Sequence, residues 1–208
     1  RKGHLMTSLH DGSADTADRP PYGSGVPGFA DGHTVEGMDI TVVVGNPKPR
    51  SRTWDAAHRL ADGLVGGSGE LVGASFDVVD LGPGLLGWGD TAVAEAVQRV
   101  AASDVVIVAS PTYKATYTGL LKLFLDQFAG STGLEGVVAV PLQLGGSPAH
   151  QLSPELHLKP VLVELGAIVP APALYLVDSV PSPDPVERAW LERWAPVVRA
   201  AARTEVLA

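Results

Sequence analysis

A chain of 208 residues, 45% apolar and 18% charged, has the composition of one globular domain with a well-filled core. A formal net charge of -8 argues against broad nucleic-acid binding, and the absence of cysteine excludes disulfides, thiolate metal ligands and a Cys nucleophile. No run approaches the roughly 18 uninterrupted apolar residues of a membrane span, no secretory pattern opens the chain, and a reducing cytoplasm is the expected location.

Residues 1–37 are rich in Gly, Asp, Ser, Thr and Pro and carry no periodicity. Such a segment buries too little surface to offset its ordering entropy and is expected to be a flexible extension. The chain opens on Arg1, so its first few residues read as an expression remnant, with Met6 or Met38 as a natural start. "GSGVPG" matches the dinucleotide pattern G-x-G-x-x-G at Gly23, Gly25 and Gly28, but neither a strand before it nor a helix after it supports that reading. One domain is expected over 38–208.

From Met38 the pattern becomes regular. "MDITVVVG" reads as a strand buried on both faces, residues 53–64 as a helix, and "SFDVVDL" as a second strand. "TAVAEAVQRVAAS" is an Ala-rich helix, "DVVIVASP" the clearest strand, and "GLLKLFLDQF" a helix. "GVVAVPLQL" is a strand, residues 149–166 a helix containing Pro160, "AIVPAPALYLV" the last strand, and residues 184–206 a closing helix. Alternating strands and helices predict an α/β fold, a doubly wound five-stranded parallel sheet with helices on both faces. Ligands of such sheets lie at the carboxyl ends of the strands, which directs attention to loops 45–53, 110–118 and 144–150.

The first loop, "GNPKPRSRT", gathers Lys48, Arg50 and Arg52 with Ser51 and Thr53 just before a helix, where free N–H groups and the helix dipole favour an anion. It is no Walker A motif and lacks the glycines that hug a pyrophosphate, so it reads as a site for one terminal phosphate or as a solvated basic cap. In "SPTYKATYTG", Pro111, Thr112 and Tyr113 suit the edge and face of a planar ring, while Tyr117 suits the core or a subunit contact equally well. "QLGGSPAH" spells a G-x-S-x-A elbow at Gly145, Ser147 and Ala149 with His150 near. The oxyanion-hole donor of such a hydrolase would be residue 148, here a proline without an N–H, a loss on the order of 3 kcal/mol. Gly145 and Gly146 read instead as backbone that a ligand approaches closely.

No metal site is assigned, because His150 and His157 lack a carboxylate at ligand spacing and the other four histidines are scattered. Lys122 and Asp126 read as an exposed helix pair, and Trp190 with Trp194 as packing. Leu120, Leu121, Leu123, Phe124, Leu125 and Phe128 cover more than half of their helix, which predicts burial against a second subunit as well as the sheet.

"VVIVASPTYKATYTGLLKLFLDQF" followed by "PLQLGGSPAHQL" and "LKPVL" resembles the NADPH-dependent FMN reductases of the flavodoxin-like fold, in particular the branch serving two-component alkanesulfonate monooxygenases. "GNPKPRSRT" is similar to that family's G-S-P-R-x-x-S-x-T phosphate loop, with Asn46 where Ser is usual and Lys48 where Arg is common. The resemblance implies that Asn46, Lys48, Ser51 and Thr53 hold the FMN phosphate. It implies that Pro111, Thr112, Tyr113 and Lys114 border the isoalloxazine, with Gly145, Gly146 and Ser147 by the ring's other edge. It also implies that Tyr117 sits in a distorted helix at a subunit interface of a homodimer or homotetramer. The activity implied is hydride transfer from NADPH or NADH to FMN with no acid–base side chain, the reduced flavin feeding a transient monooxygenase partner. Two alternatives stand beside it: an FMN-bound reductase of quinones, azo dyes or metal oxyanions, and a flavodoxin-type electron carrier.

Overall fold

Strand β1, Ile40–Val44, is buried along its whole length, and its Val-rich sequence follows from cover on both faces. The computed structural model describes residues 38–66 and 73–202, so the expected extension over 1–37 lies outside the described residues. The remaining strands are β2 (Ser75–Asp77), β3 (Val105–Pro111), β4 (Val138–Gly145) and β5 (Leu174–Val177). They form one parallel sheet in the order β2-β1-β3-β4-β5, the flavodoxin-like doubly wound arrangement.

Helix α1, Arg52–Leu64, buries Thr53, Ala56, Ala57, Leu60, Ala61 and Leu64, a stripe at helical spacing laid on one face of the sheet. The closing helix, Pro185–Ala202, covers the same face through Trp190, Ala195 and Val198, and Trp194 packs half-buried beside them. The Trp190 indole donates to the Pro172 carbonyl at 2.8 Å, which satisfies its one polar atom inside the core. On the opposite face lie α2 (Thr91–Ala101), α3 (Gly119–Leu125) and α4 (Lys159–Glu164), the closing helix being α5. No described helix is long and apolar enough to cross a membrane.

Three elements depart from expectation, each at a proline or a missing neighbour. The second strand stops at Asp77 and continues as 3-10 turns over Val78–Leu86, because its partner β1 ends at Val44 and Pro83 removes a donor. The last strand begins only at Leu174, since Pro170 and Pro172 donate nothing to a ladder; Ile168 keeps one isolated bridge to Val138. The expected helix over 149–166 is broken into a 3-10 turn at Pro148–His150, a π turn at Pro154–Leu158 and then α4. Pro160 has no N–H, and the backbone before it widens, the Lys159 amide reaching back five residues to the Pro154 carbonyl.

The third helix uses most of its apolar width inside its own chain. Leu121, Phe124, Leu125 and Phe128 are buried, Leu120 is half-buried, and Leu123 alone of the six is exposed. Tyr117 does not lie in a distorted helix: it precedes the Thr118 cap of α3 in non-helical backbone and is half-buried against the core.

Candidate functional site

The three loops singled out in the sequence meet at the carboxyl edge of the sheet. One hydrogen bond locks the first to the second, the Thr118 hydroxyl donating to the Gly45 carbonyl, and the second closes on itself where the Thr118 amide donates to Ser110 Oγ at 3.0 Å. Gly45 has no room for a side chain here, because a Cβ would lie 2.3 Å from Leu121 Cβ. Between the loops lies a cleft of about 180 Å³ lined by Asn46, Lys48, Ser51 and Thr53 on one wall, and by Pro111, Tyr113 and Leu144 on the other. Arg52 and Asp178 close one end, the Arg52 guanidinium pairing with the Asp178 carboxylate at 3.1 Å and donating to its carbonyl at 3.2 Å.

The donors inside this cleft are arranged by their neighbours. Ser51 caps α1 by accepting the Trp54 amide at 3.4 Å, which leaves its hydroxyl hydrogen to point elsewhere. Thr53 Oγ1 accepts from Asn46 Nδ2 at 3.2 Å, so its hydrogen is likewise uncommitted. The Arg52 and Thr53 amides, in the first turn of α1, take no acceptor among the described residues. Asn46 Oδ1 accepts the Lys48 amide at 2.9 Å, so this buried side chain braces the loop from both ends. Asn46 orients a donor more than it offers one.

The three cations of the loop separate. Lys48 lines the cleft, Arg52 lines it while paired to Asp178, and Arg50 turns away. Arg50 adopts a left-handed φ of 49°, stacks its guanidinium 4.0 Å above the Trp54 ring and lies 3.7 Å from the Asp80 carboxylate. Its amide donates to Asp77 Oδ2 at 2.8 Å. Asp77 is buried and its Oδ1 has no partner among the described residues; burial pushes its carboxyl pKa up, against the opposing pull of the Arg50 amide.

The second loop folds as a tight two-residue turn. Tyr113 and Thr116 exchange backbone hydrogen bonds at 2.8 and 3.2 Å, with Lys114 and Ala115 at φ values of 50° and 68°. That is the mirror-image turn normally built from Asn and Gly, here carried by side chains that strain it. It leaves Tyr113 half-exposed over the cleft and Lys114 in solvent. The Thr112 amide donates to the Leu144 carbonyl at 2.6 Å, so Thr112 ties the second loop to the third.

In the third loop the two glycines differ. Space beside Gly146 is open, whereas a Cβ on Gly145 would meet the Tyr175 hydroxyl at 2.0 Å. Gly145 therefore makes room for a tyrosine of its own chain, which donates to the Ser147 carbonyl at 2.7 Å. Ser147 is exposed and accepts the Ala149 amide at 3.4 Å, with no hydrogen bond to His150. Of the expected site residues, Asn46, Lys48, Ser51, Thr53, Pro111 and Tyr113 line one cleft, while Thr112, Lys114, Gly145, Gly146 and Ser147 are not part of its lining. Arg52 is expected only as one of the loop's three cations, and Asp77 and Asp178 are not among the expected site residues. The same carboxyl-edge rule, applied to the ends of β2 and β5, points to both aspartates.

Hydroxyls, a lysine and open helix amides converging on one end of a cleft suit a single phosphate group, and the wall of Pro111, Tyr113 and Leu144 suits an apolar extension of it. The sequence model of the family described as NADPH-dependent FMN reductase matches residues 38–181. The chain belongs to this family. The crystal structure of an apo NADH:FMN oxidoreductase, EMOB, is 33% identical, covers 81% of this chain and 92% of that one, and superposes with a TM-score of 0.72. The FMN reductase (NADPH) of Escherichia coli strain K12 is 44% identical over 70 residues, 34% of this chain and 36% of that protein. The NADH-dependent FMN reductase SfnF of Pseudomonas putida is 32% identical over 127 residues, 59% of this chain and 68% of that protein. The match to the Escherichia coli relative, like the one to an FMN reductase (NADPH) of Pseudomonas putida KT2440 at 41%, thus spans well under half of the relative's length.

Proposed function

We propose that this chain is an NAD(P)H-dependent FMN reductase that holds FMN in the cleft at the carboxyl edge of its sheet. The observation that carries the reading is the pair of hydroxyls on Ser51 and Thr53. Their oxygens are occupied by the Trp54 amide and by Asn46, so both hydrogens are available to an anion beside the open Arg52 and Thr53 amides. Lys48 adds a positive charge, and the N-terminus of α1 adds its dipole. At about 180 Å³ the cleft is smaller than the ~300–1,000 Å³ of an enclosed ligand pocket, so it suits the phosphate and ribityl end and leaves the ring on the open rim. Tyr113 and the clear space beside Gly146 border that rim and leave it accessible to a nicotinamide. Bound there, the flavin supplies the hydride-accepting ring, and the protein supplies orientation.

The reading extends to delivery of reduced flavin to a monooxygenase in the cytoplasm, for which the open space beside Gly146 leaves the ring accessible. It extends also to self-association, for which exposed Leu86, Trp88 and Leu123 are the candidate contacts; Gln127, just past α3, donates to the Gly87 carbonyl between the first two. Purified protein should oxidise NADPH or NADH at a rate that saturates with added free FMN. Oxidation no faster with FMN than without it would overturn the assignment.

A further inference from the structure

A carboxylate at the foot of a phosphate site is electrostatically adverse, so its position there calls for a reason. Asp77 ends β2 opposite Val44 in the register, which sets it under the loop that begins at Gly45. It is 3% exposed. One oxygen accepts the Arg50 amide at 2.8 Å, and the other is buried without a partner among the described residues. Arg50 in turn holds a left-handed backbone that L-residues other than Asn and Asp rarely adopt. Its guanidinium is held as well, between the Trp54 ring and Asp80. The next residue is Ser51, the cap of α1, so the turn at Arg50 decides where the Ser51 hydroxyl and the first amides of α1 point.

We infer that Asp77 is a positioning residue of the phosphate subsite: it holds Arg50 in its left-handed turn so that the Ser51 and Thr53 donors converge, without touching the phosphate itself. Local strain at a binding site persists only where surrounding contacts over-determine it, and among the described residues the Asp77 carboxylate is the one hydrogen-bond partner of the Arg50 backbone. The unpartnered oxygen is the cost of that arrangement, accepted because the other oxygen fixes the loop. This inference rests on the reading of the cleft as an FMN phosphate site.

FMN and riboflavin differ only by the phosphate, so their separate affinities isolate its subsite. Quenching of flavin fluorescence measures both, with the wild type, Asp77→Ala and Asp77→Asn. The wild type should prefer FMN. Asp77→Ala should weaken FMN about tenfold, the order of one hydrogen bond involving a charged group, while riboflavin stays within about twofold. Asp77→Asn keeps an acceptor for the Arg50 amide and loses the negative charge, so it should bind FMN as tightly as the wild type or more so. Asp77→Leu fills the same space with no acceptor and must behave as Asp77→Ala does, which covers the case in which the alanine variant fails to fold. An unchanged FMN-to-riboflavin ratio in Asp77→Ala or Asp77→Leu, or a loss in Asp77→Asn as large as theirs, overturns the inference while leaving the site reading intact. A wild type that binds FMN and riboflavin equally overturns the site reading and this inference with it.

Discussion

Replacing Gly145 by alanine tests how the third loop is built. The added methyl would lie 2.0 Å from Tyr175 Oη, 2.9 Å from its Cζ and 3.3 Å from Thr112 Cβ. Ordinary contact needs about 3.5 Å, so the tyrosine must retreat by more than an ångström. It is 8% exposed and anchored through its hydroxyl to the Ser147 carbonyl at 2.7 Å, so retreat breaks that bond. Overpacking a filled site costs about 1–3 kcal/mol, and the lost hydrogen bond adds about 0.5–1.5 kcal/mol, which together give about 1.5–4.5 kcal/mol. Urea denaturation should show this as a lower midpoint at unchanged slope. Tyr175→Phe alone should cost about 1 kcal/mol, and it removes the atom that the new methyl strikes first. The two substitutions together should then cost less than their sum by at least about 1 kcal/mol. A Gly145→Ala protein within about 0.5 kcal/mol of wild type, or strict additivity in the double variant, would refute the packing argument.

Thr53→Val should lose about 1–3 kcal/mol of stability by stranding the buried Asn46 amide, and should weaken FMN binding, whereas Thr53→Ser retains both properties in thermal melts and titrations. Ala115→Gly should stabilise the fold by roughly 0.5–1 kcal/mol, because glycine adopts the left-handed φ of 68° without strain; calorimetry with no gain would contradict the turn assignment. Burial raises the Asp77 carboxyl, so the native chain holds that proton more tightly than the unfolded chain does. The charged form's penalty is absent below the ordinary carboxylate range, grows as pH rises toward the raised pKa and is complete above it. Asp77→Asn should therefore gain stability relative to wild type as pH rises, and a gap independent of pH would count against it.

The central strands were legible because burial on both faces demands continuous apolar runs, and "ITVVV" and "VVIVASP" offer no competing period. The edges were less so. "SFDVVDL" reads as a strand throughout, yet only its first three residues find a partner, a fact of neighbouring chain length that no local pattern carries. Pro160 warned of a break in its helix, but the π turn before it depends on how residues 154–158 pack. At the site, the basic hydroxyl-bearing loop was visible in the sequence, and the division of labour within it was not. Whether Asn46 faces a ligand or braces Thr53 is decided by a hydrogen bond seven residues along, and whether Arg50 faces in or out is decided by Trp54 and Asp80. Gly145 shows the same limit: the need for a glycine was evident, but the neighbour that requires it, Tyr175, comes from another strand.

A crystal structure of the protein grown with FMN tests the account most directly. The flavin phosphate should lie within hydrogen-bond distance of Ser51 Oγ and Thr53 Oγ1, with Arg50 still turned onto Trp54 and the Arg50 amide still on Asp77. A phosphate bound away from the N-terminus of α1, or a flavin excluded from the cleft, would contradict it.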